Sequence, residues 1–441
     1  MPPTRPQSPD AIHRARHKVL GTPELIAIAL GGMVGGGIFT VLGISVAMVG
    51  VWTPAAIAIG GVLAALAAYS YIKLGVYYRD EGATYSFFKK SFPSSPFAAS
   101  LIGWWVIFGY ISTLSLYAYT FASYALSAFP GLDTPFDRKL AAGGIIFLFT
   151  LINLWSVRGM GKLEDLMVYT KLVILVVISF VLINNSHTSL PQLIEQNAHP
   201  SIFSVLIVAS LTFVAYEGFQ LVINAVGEME RPQTQIPRAI YTAIFLAVAI
   251  YVVIALGAIL AIPFEDIVAN KEYALASGAD KILGHWGTEL VILGAMLATS
   301  SAISGTVFGA SRQMAVIADD GYFPALLSKR NGRIPVAAIV TMALFAFLLI
   351  LSGSLELILE FGSVTFLLVS FLMAVANFRV RRLTRSSTLV TLLAIAGLFV
   401  ATLFITYYEL ATRLHQMAFI LFIYLLLTLG AWLFARKKRT Q

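Results

Sequence analysis

Long apolar runs separated by short polar joints occupy the chain from residue 23 to residue 435. Twelve can be delimited, at about 23–49, 53–77, 98–127, 139–157, 164–184, 201–227, 239–262, 286–315, 335–352, 355–378, 389–408 and 416–435. At 1.5 Å of rise per residue, runs of this length match a hydrocarbon layer of about 30 Å. A helix satisfies its own backbone groups in hydrocarbon, so the pattern predicts an all-α polytopic membrane protein with twelve transmembrane helices. Two joints, Glu81–Lys90 and Glu272–Gly284, predict small surface helices.

The composition agrees, with 58% hydrophobic and 12% charged residues and no cysteine. Disulfides, thiol chemistry and cysteine-held metals are thereby excluded. The histidines (His13, His17, His187, His199, His285 and His415) fall in tails, joints or span ends without metal-ligand spacing. The net charge of +8 sits beside the spans, which makes it a topology signal and gives no reason to expect nucleic acid. One set of joints and tails holds Arg5, Arg14, Arg16, Lys18, Lys73, Arg79, Lys89, Lys90, Arg158, Lys162, Arg231 and Arg238, and continues with Arg312, Lys329, Arg330, Arg333, Arg379, Arg381, Arg382, Arg385 and 436–439. The opposite set holds only Arg138, Lys139, Lys271, Lys281 and Arg413. Both termini are therefore expected in the cytoplasm, and the protein in the inner membrane. Residues 1–20 lack the apolar core of a signal peptide. No phosphate-binding loop or nucleophile elbow is present, so neither direct ATP drive nor enzyme activity is expected, and no cofactor.

Two runs contain candidate breaks. Gly31–Phe39 reads G-G-M-V-G-G-G-I-F, and each of its five glycines costs a helix about 1 kcal/mol relative to alanine. Phe213–Phe219 reads F-V-A-Y-E-G-F in the sixth run. Each lies about a dozen residues into its span, about 18 Å deep. Broken helices at matching depth in two halves of opposite orientation predict a five-plus-five inverted repeat with the binding site at the breaks. The expected organisation is a tail at 1–20, repeats at 21–184 and 201–378, two further spans at 389–435 and a basic tail at 436–441.

The amides of Gly35, Gly36 and Gly37 at a half-helix N-terminus suit a carboxylate, and carbonyls near Met33 and Val34 suit an ammonium group. Close helix packing is the competing reading of small residues in membranes, and three consecutive glycines exceed its needs. Phe213, Ala215, Tyr216 and Gly218 form the matching break. Glu217, an acid at mid-span, is a functional candidate by default: it binds a substrate ammonium, relays a proton, or pairs structurally with Lys171 or a backbone donor. Gln220 reads as an interhelical hydrogen-bonding residue, and Trp104, Trp105 and Tyr110 as packing or interfacial aromatics, with reach into the pocket the alternative for Tyr110. Lys171 lies about 10 Å inside the fifth span. It either alternates between ammonium and amine as a proton-coupling group, facing the hydroxyls of Thr299, Ser300, Ser301 and Ser304, or stays a charged structural cation. The residues alone leave these two open.

Taken together, G-G-M-V-G-G-G-I-F, E-G-A-T-Y-S-F-F after span two, F-V-A-Y-E-G-F continuing through Glu228–Ile240, and A-D-D-G-Y-F-P at Ala318–Pro324 resemble the amino acid–polyamine–organocation superfamily of secondary transporters. The resemblance covers essentially the whole chain and implies a leucine-transporter-like fold with alternating access. It implies that Gly35, Gly36 and Gly37 bind a substrate carboxylate, that Met33, Val34, Ala215 and Tyr216 offer carbonyls to its amine, and that Phe213 is a gating or pocket aromatic. Y-T-K-L-V-I-L at Tyr169–Leu175 resembles the proton-coupled bacterial and archaeal members, in which a lysine takes the place of a sodium ion. By that resemblance Lys171 couples to protons beside Thr299, Ser300 and Ser301, and no sodium is expected there. Glu217 departs from the family, where many members carry an apolar residue. Glu228 and Arg231 are expected to help close a cytoplasmic gate.

The expected function is secondary amino acid transport, most simply proton symport, in a lipid bilayer and without an obligate protein partner. An exchanger and a polyamine or amine carrier are the alternatives within the class. A channel or an amino-acid sensor is the alternative outside it.

Overall fold

The computed structural model describes residues 20–80, 82–155, 157–186, 190, 192, 194, 200–332 and 334–439. The expectations placed on the tail before Leu20 (with Arg5, Arg14, Arg16 and Lys18), on Glu81, His187, His199 and Arg333, and on residues 440–441 lie outside the described residues. Helix dominates throughout, and no strand occurs among the described residues.

The first apolar run divides into α1 (Thr22–Met33) and α2 (Gly36–Val49). Gly50, at φ +53°, turns the chain into α3 (Thr53–Tyr78), whose first turn takes Pro54 and whose Thr53 hydroxyl donates to the Gly50 carbonyl at 2.8 Å. Proline fits there because a helix's first N–H groups have no intrahelical partner. Then follow α4 (Ala83–Ser91), α5 (Pro96–Ser127), α6 (Pro135–Trp155) and α7 (Val157–Asn184).

The sixth run opens as α8 (Ile202–Thr212), capped by the Ser201 hydroxyl accepting from the Ser204 amide at 3.1 Å. It tightens into a 3-10 turn at Phe213–Tyr216 and resumes as the single turn α9 (Leu221–Asn224). The remainder is α10 (Pro232–Ala261), α11 (Phe264–Ala269), α12 (Ala274–Asp319), α13 (Val336–Ser352), α14 (Leu355–Arg379), α15 (Arg381–Thr384), α16 (Thr388–Thr412) and α17 (Leu414–Arg439).

Ten helical stretches among the described residues are long and apolar enough to cross a membrane, and one of them, Gly36–Tyr78, runs 43 residues through the Gly50 turn. Thr22–Met33 and Val336–Ser352 are apolar but shorter. Two joints differ from expectation. Glu81–Lys90 was expected on the surface, yet in α4 Tyr85 and Phe87 are wholly buried, because this short helix packs its aromatic face against α5 and α14. The helix expected at Glu272–Gly284 continues into the eighth span as one element, interrupted only at Gly284, where φ is +65°. The breaks lie in the interior, among α3, α5, α10, α12 and α14, whereas α16 and α17 present Leu389, Leu403, Leu425 and Leu433 outward. Such exposed leucines suit contact with lipid chains.

Candidate functional site

Helix α1 ends as the Val34 amide closes on the Leu30 carbonyl (2.9 Å) and the Gly35 amide on Met33 (2.8 Å). Helix α2 restarts at Gly36, so the Gly36 and Gly37 amides occupy its first turn, where N–H groups have no intrahelical acceptor. Opposite, Glu217 is extended and Gly218 stands at φ +125°, a conformation open to glycine and strained for other residues. The two breaks touch directly. A Cβ on Gly37 would lie 2.8 Å from Ala215 Cα, and one on Gly218 would lie 2.5 Å from the Gly32 carbonyl carbon. The glycines therefore serve close packing as well as an interrupted backbone.

Lys171, on α7, is fully buried. Its ammonium nitrogen donates to the carbonyls of Gly31 (3.0 Å) and Val34 (2.6 Å) and to the Ser301 hydroxyl (2.7 Å). One side chain thus ties α7 to the end of α1 and to α12. Ser301 spends its own hydrogen on the Ala298 carbonyl at 2.9 Å, which leaves its oxygen as an acceptor for Lys171. Thr299 turns back to the Ala295 carbonyl (2.7 Å), and Ser300 is buried on the same turn.

Tyr251, on α10, is a site residue that sequence reasoning missed. Its hydroxyl reaches the Met33 carbonyl at 2.7 Å and the Ala215 carbonyl at 2.9 Å, one from each break. Its ring packs on Tyr216 at 5.3 Å between centroids, and the Tyr216 hydroxyl donates to the Ile57 carbonyl at 2.8 Å. Three carbonyls expected to face a substrate amine, those of Met33, Val34 and Ala215, are thus engaged by Tyr251 and Lys171. The readable signal was a tyrosine inside an apolar span, whose buried hydroxyl needs a partner.

Glu217 and Gln220 are 3% and 1% exposed. The Gln220 amide nitrogen donates to Glu217 Oε2 (2.5 Å) and to the Tyr110 hydroxyl (3.3 Å), while its oxygen accepts from the Gly218 amide (3.3 Å). Glu217 Oε1 is buried without a partner among the described residues. The carboxyl's neighbour is Gln220, so the pairing with Lys171 considered from the sequence is not the observed arrangement, and Tyr110 belongs to this polar pocket. Phe213 is wholly buried in the 3-10 turn.

Hydrogen bonds tie the start of α1 to the segment that carries Glu228 and Arg231. The Leu20 amide donates to the Glu228 carbonyl (2.9 Å), and Gln235 donates to the Leu20 carbonyl (2.9 Å). The side chains of Glu228 and Arg231 are exposed and form no ion pair among the described residues. A second junction joins two of the sequence motifs. Asp320 accepts from the Tyr85 hydroxyl and from Lys89, both at 2.7 Å, and its carbonyl accepts from Lys438 at 2.5 Å. Burial, together with the Asp320 carboxylate, pushes the Tyr85 phenol well above its ordinary value.

A family model described as amino acid permease matches residues 20–432. The chain is 29% identical over 389 residues to the inner membrane transport protein YbaT of Escherichia coli, covering 86% of this chain and 90% of that one. It is 25% identical over 375 residues to the chloroplastic cationic amino acid transporter 7 of Arabidopsis thaliana, covering 80% and 63%. It is also 24% identical over 326 residues to the branched-chain amino acid permease BcaP of Bacillus subtilis, covering 70% and 69%. The interrupted helices and the match across nearly the whole chain lead to one assignment: this multi-pass membrane protein belongs to the amino acid permease family of the amino acid–polyamine–organocation superfamily.

Proposed function

We propose that the protein is a proton-coupled amino acid symporter working by alternating access. In this reading α1 and α2 together form one crossing, α13 forms another, and Gly36–Tyr78 supplies separate crossings on either side of Gly50. Twelve crossings result, ten of them in two inverted sets of five, with both termini in the cytoplasm. Substrate carboxylate binds at the Gly36 and Gly37 amides. Its ammonium competes with Tyr251 and Lys171 for the carbonyls of the breaks.

The observation that carries the reading is the bonding of Lys171. As ammonium it carries three N–H donors, and among its acceptors are the carbonyls of Gly31 and Val34 and the Ser301 hydroxyl. Deprotonation removes the charge and one donor, so at least one of the three acceptors is released, and the hold on the end of α1 loosens. Proton binding at Lys171 is thereby linked to the position of α1. Labelled amino acid uptake into proteoliposomes, with and without an inward proton gradient, tests the reading. Gradient-stimulated uptake supports symport, whereas uptake that ignores the gradient and requires internal amino acid identifies an exchanger.

A second reading of the substrate rests on the unpartnered Oε1 of Glu217. A buried carboxylate oxygen beside the breaks favours a cationic amino acid or amine, and the cationic amino acid transporter among the relatives is in keeping with it. The branched-chain permease points instead to a neutral side chain, with Glu217 lining a proton path. Competition among cationic, branched-chain and polyamine ligands separates the two.

A further inference from the structure

The first turns of α14 and the last turn of α16 enclose a second charged cluster, away from both breaks. Glu360 on α14 and Glu409 on α16 are 3% and 0% exposed. Arg413, in the turn between α16 and α17, donates to Glu356 Oε2 at 2.6 Å and to Glu360 Oε1 at 2.7 Å, and Lys271 pairs with the other oxygen of Glu356. Three carboxyl oxygens remain, Oε2 of Glu360 and both oxygens of Glu409. All three are buried with no donor among the described residues. Yet the Glu360 and Glu409 side chains stand within hydrogen-bonding range of each other.

Two ionised carboxylates only accept, so their contact is a repulsion between groups that have lost water. A single proton converts it into an O–H···O⁻ bond, one of the strong charge-assisted kind. With both members of the pair ionised, Arg413 would face three carboxylates, those of Glu356, Glu360 and Glu409, while Lys271 is shared between Glu356 and Glu272.

We propose that Glu360 and Glu409 form a second proton-binding site, one proton held between two buried carboxyls at the seam of α14 and α16, separate from Lys171. The charges acting on it are Arg413 and Glu356, with Lys271 behind Glu356. Tyr408 of α16 faces Arg413 at 5.9 Å, and Gln416 of α17 stands 3.5 Å from it. His415, in the first turn of α17, is exposed. From α5 and α8 the groups meeting this part of α14 are neutral: Ser112 donates to the Ile358 carbonyl (2.8 Å), and the Leu211 carbonyl accepts from Ser363 (2.9 Å). That last bond gives the pair a route to the substrate site. Ser363 is one turn beyond Glu360, and neighbouring Gly362 sits so close that a Cβ on it would be 3.3 Å from Val214 in the 3-10 turn. Losing the proton adds a buried charge to the seam beside that contact, so the seam responds to pH independently of Lys171.

Infrared difference spectra of the full chain in liposomes, recorded on stepping from neutral to alkaline pH in H2O and in D2O, test this without any need for transport. The expected result is a protonated-carboxyl C=O band, shifted by D2O and bleached by alkali. It should be present in wild type, Glu217→Gln and Lys171→Ala and lost in Glu360→Gln and Glu409→Gln, where the remaining carboxylate is balanced by Arg413. Absence of the band from wild type overturns the proposal, as does its persistence in either folded Gln variant. If neither Gln variant folds, Glu217→Gln decides: a retained band supports the pair, and a lost band belongs to Glu217 and contradicts it.

Discussion

Gly218 and Gly32 meet backbone to backbone, so that a Cβ on Gly218 would lie 2.5 Å from the carbonyl carbon of Gly32. Gly218 also stands at φ +125°. Gly218→Ala therefore incurs backbone strain of about 1–3 kcal/mol. Crowding against rigid backbone adds about 1–3 kcal/mol more. A lowered thermal midpoint in detergent together with lost substrate binding is the expected outcome. A variant with wild-type stability would show that the two breaks do not pack this way.

Tyr251→Phe keeps the ring on Tyr216 and removes only the hydroxyl that reaches the Met33 and Ala215 carbonyls. A buried group left without its partner costs about 1–3 kcal/mol. The variant should unfold at lower temperature and transport more slowly. Unchanged uptake would mean that the hydroxyl does not hold the breaks together.

Glu217→Gln removes the ionisable oxygen while preserving shape. Should Glu217 receive a cationic side chain, competition by cationic amino acids weakens about tenfold or more, since a hydrogen bond to a charged group is worth about 1.5–3 kcal/mol. Competition by neutral amino acids stays as it was. Equal loss for both classes would assign Glu217 to the proton path or to the architecture of the pocket.

Asp80 gives a prediction in pH. Burial pushes its carboxyl upward, but the hydrogen bonds from Lys90 and the Gly82 amide, with the Lys90 charge, outweigh that and hold it below the ordinary aspartate value of 3.8. The folded protein thus binds this proton less readily than the unfolded chain, and stability from Asp80 is complete above pH 3.8 and lost as pH falls through the lowered folded value. The difference in thermal midpoint between wild type and Asp80→Asn should therefore be largest near neutrality and shrink below that pH. A constant difference would assign the effect to packing.

The breaks were legible because glycine runs and an acid conflict openly with an apolar helix, and Lys171 because a lysine deep in a span has few uses. Tyr251 was not, since a tyrosine among isoleucines and valines reads as packing until its hydroxyl is seen between two carbonyls. Glu360 and Glu409 also escaped notice, and Arg413 reads from the sequence only as one of the few basic residues in the opposite set of joints. Glu360 lies far along the chain from Glu409 and Arg413, and only the pairing of α14 with α16 makes them one cluster. The burial of α4 was hidden for a similar reason: Tyr85, Phe87 and Phe88 form an apolar face whose partners come from α5 and α14. Helix lengths diverged where an interrupted run became α1 and α2, each shorter than a full crossing.

If Lys171 links a proton to the end of α1, proton and substrate cross the membrane together. The most direct measurement records proton entry into proteoliposomes with a trapped pH dye when substrate is added outside, beside labelled substrate uptake, for wild type and Lys171→Ala. Substrate-driven acidification of the lumen is expected in wild type, and in the variant its loss with substrate binding retained. Acidification that persists unaltered in Lys171→Ala would contradict that link.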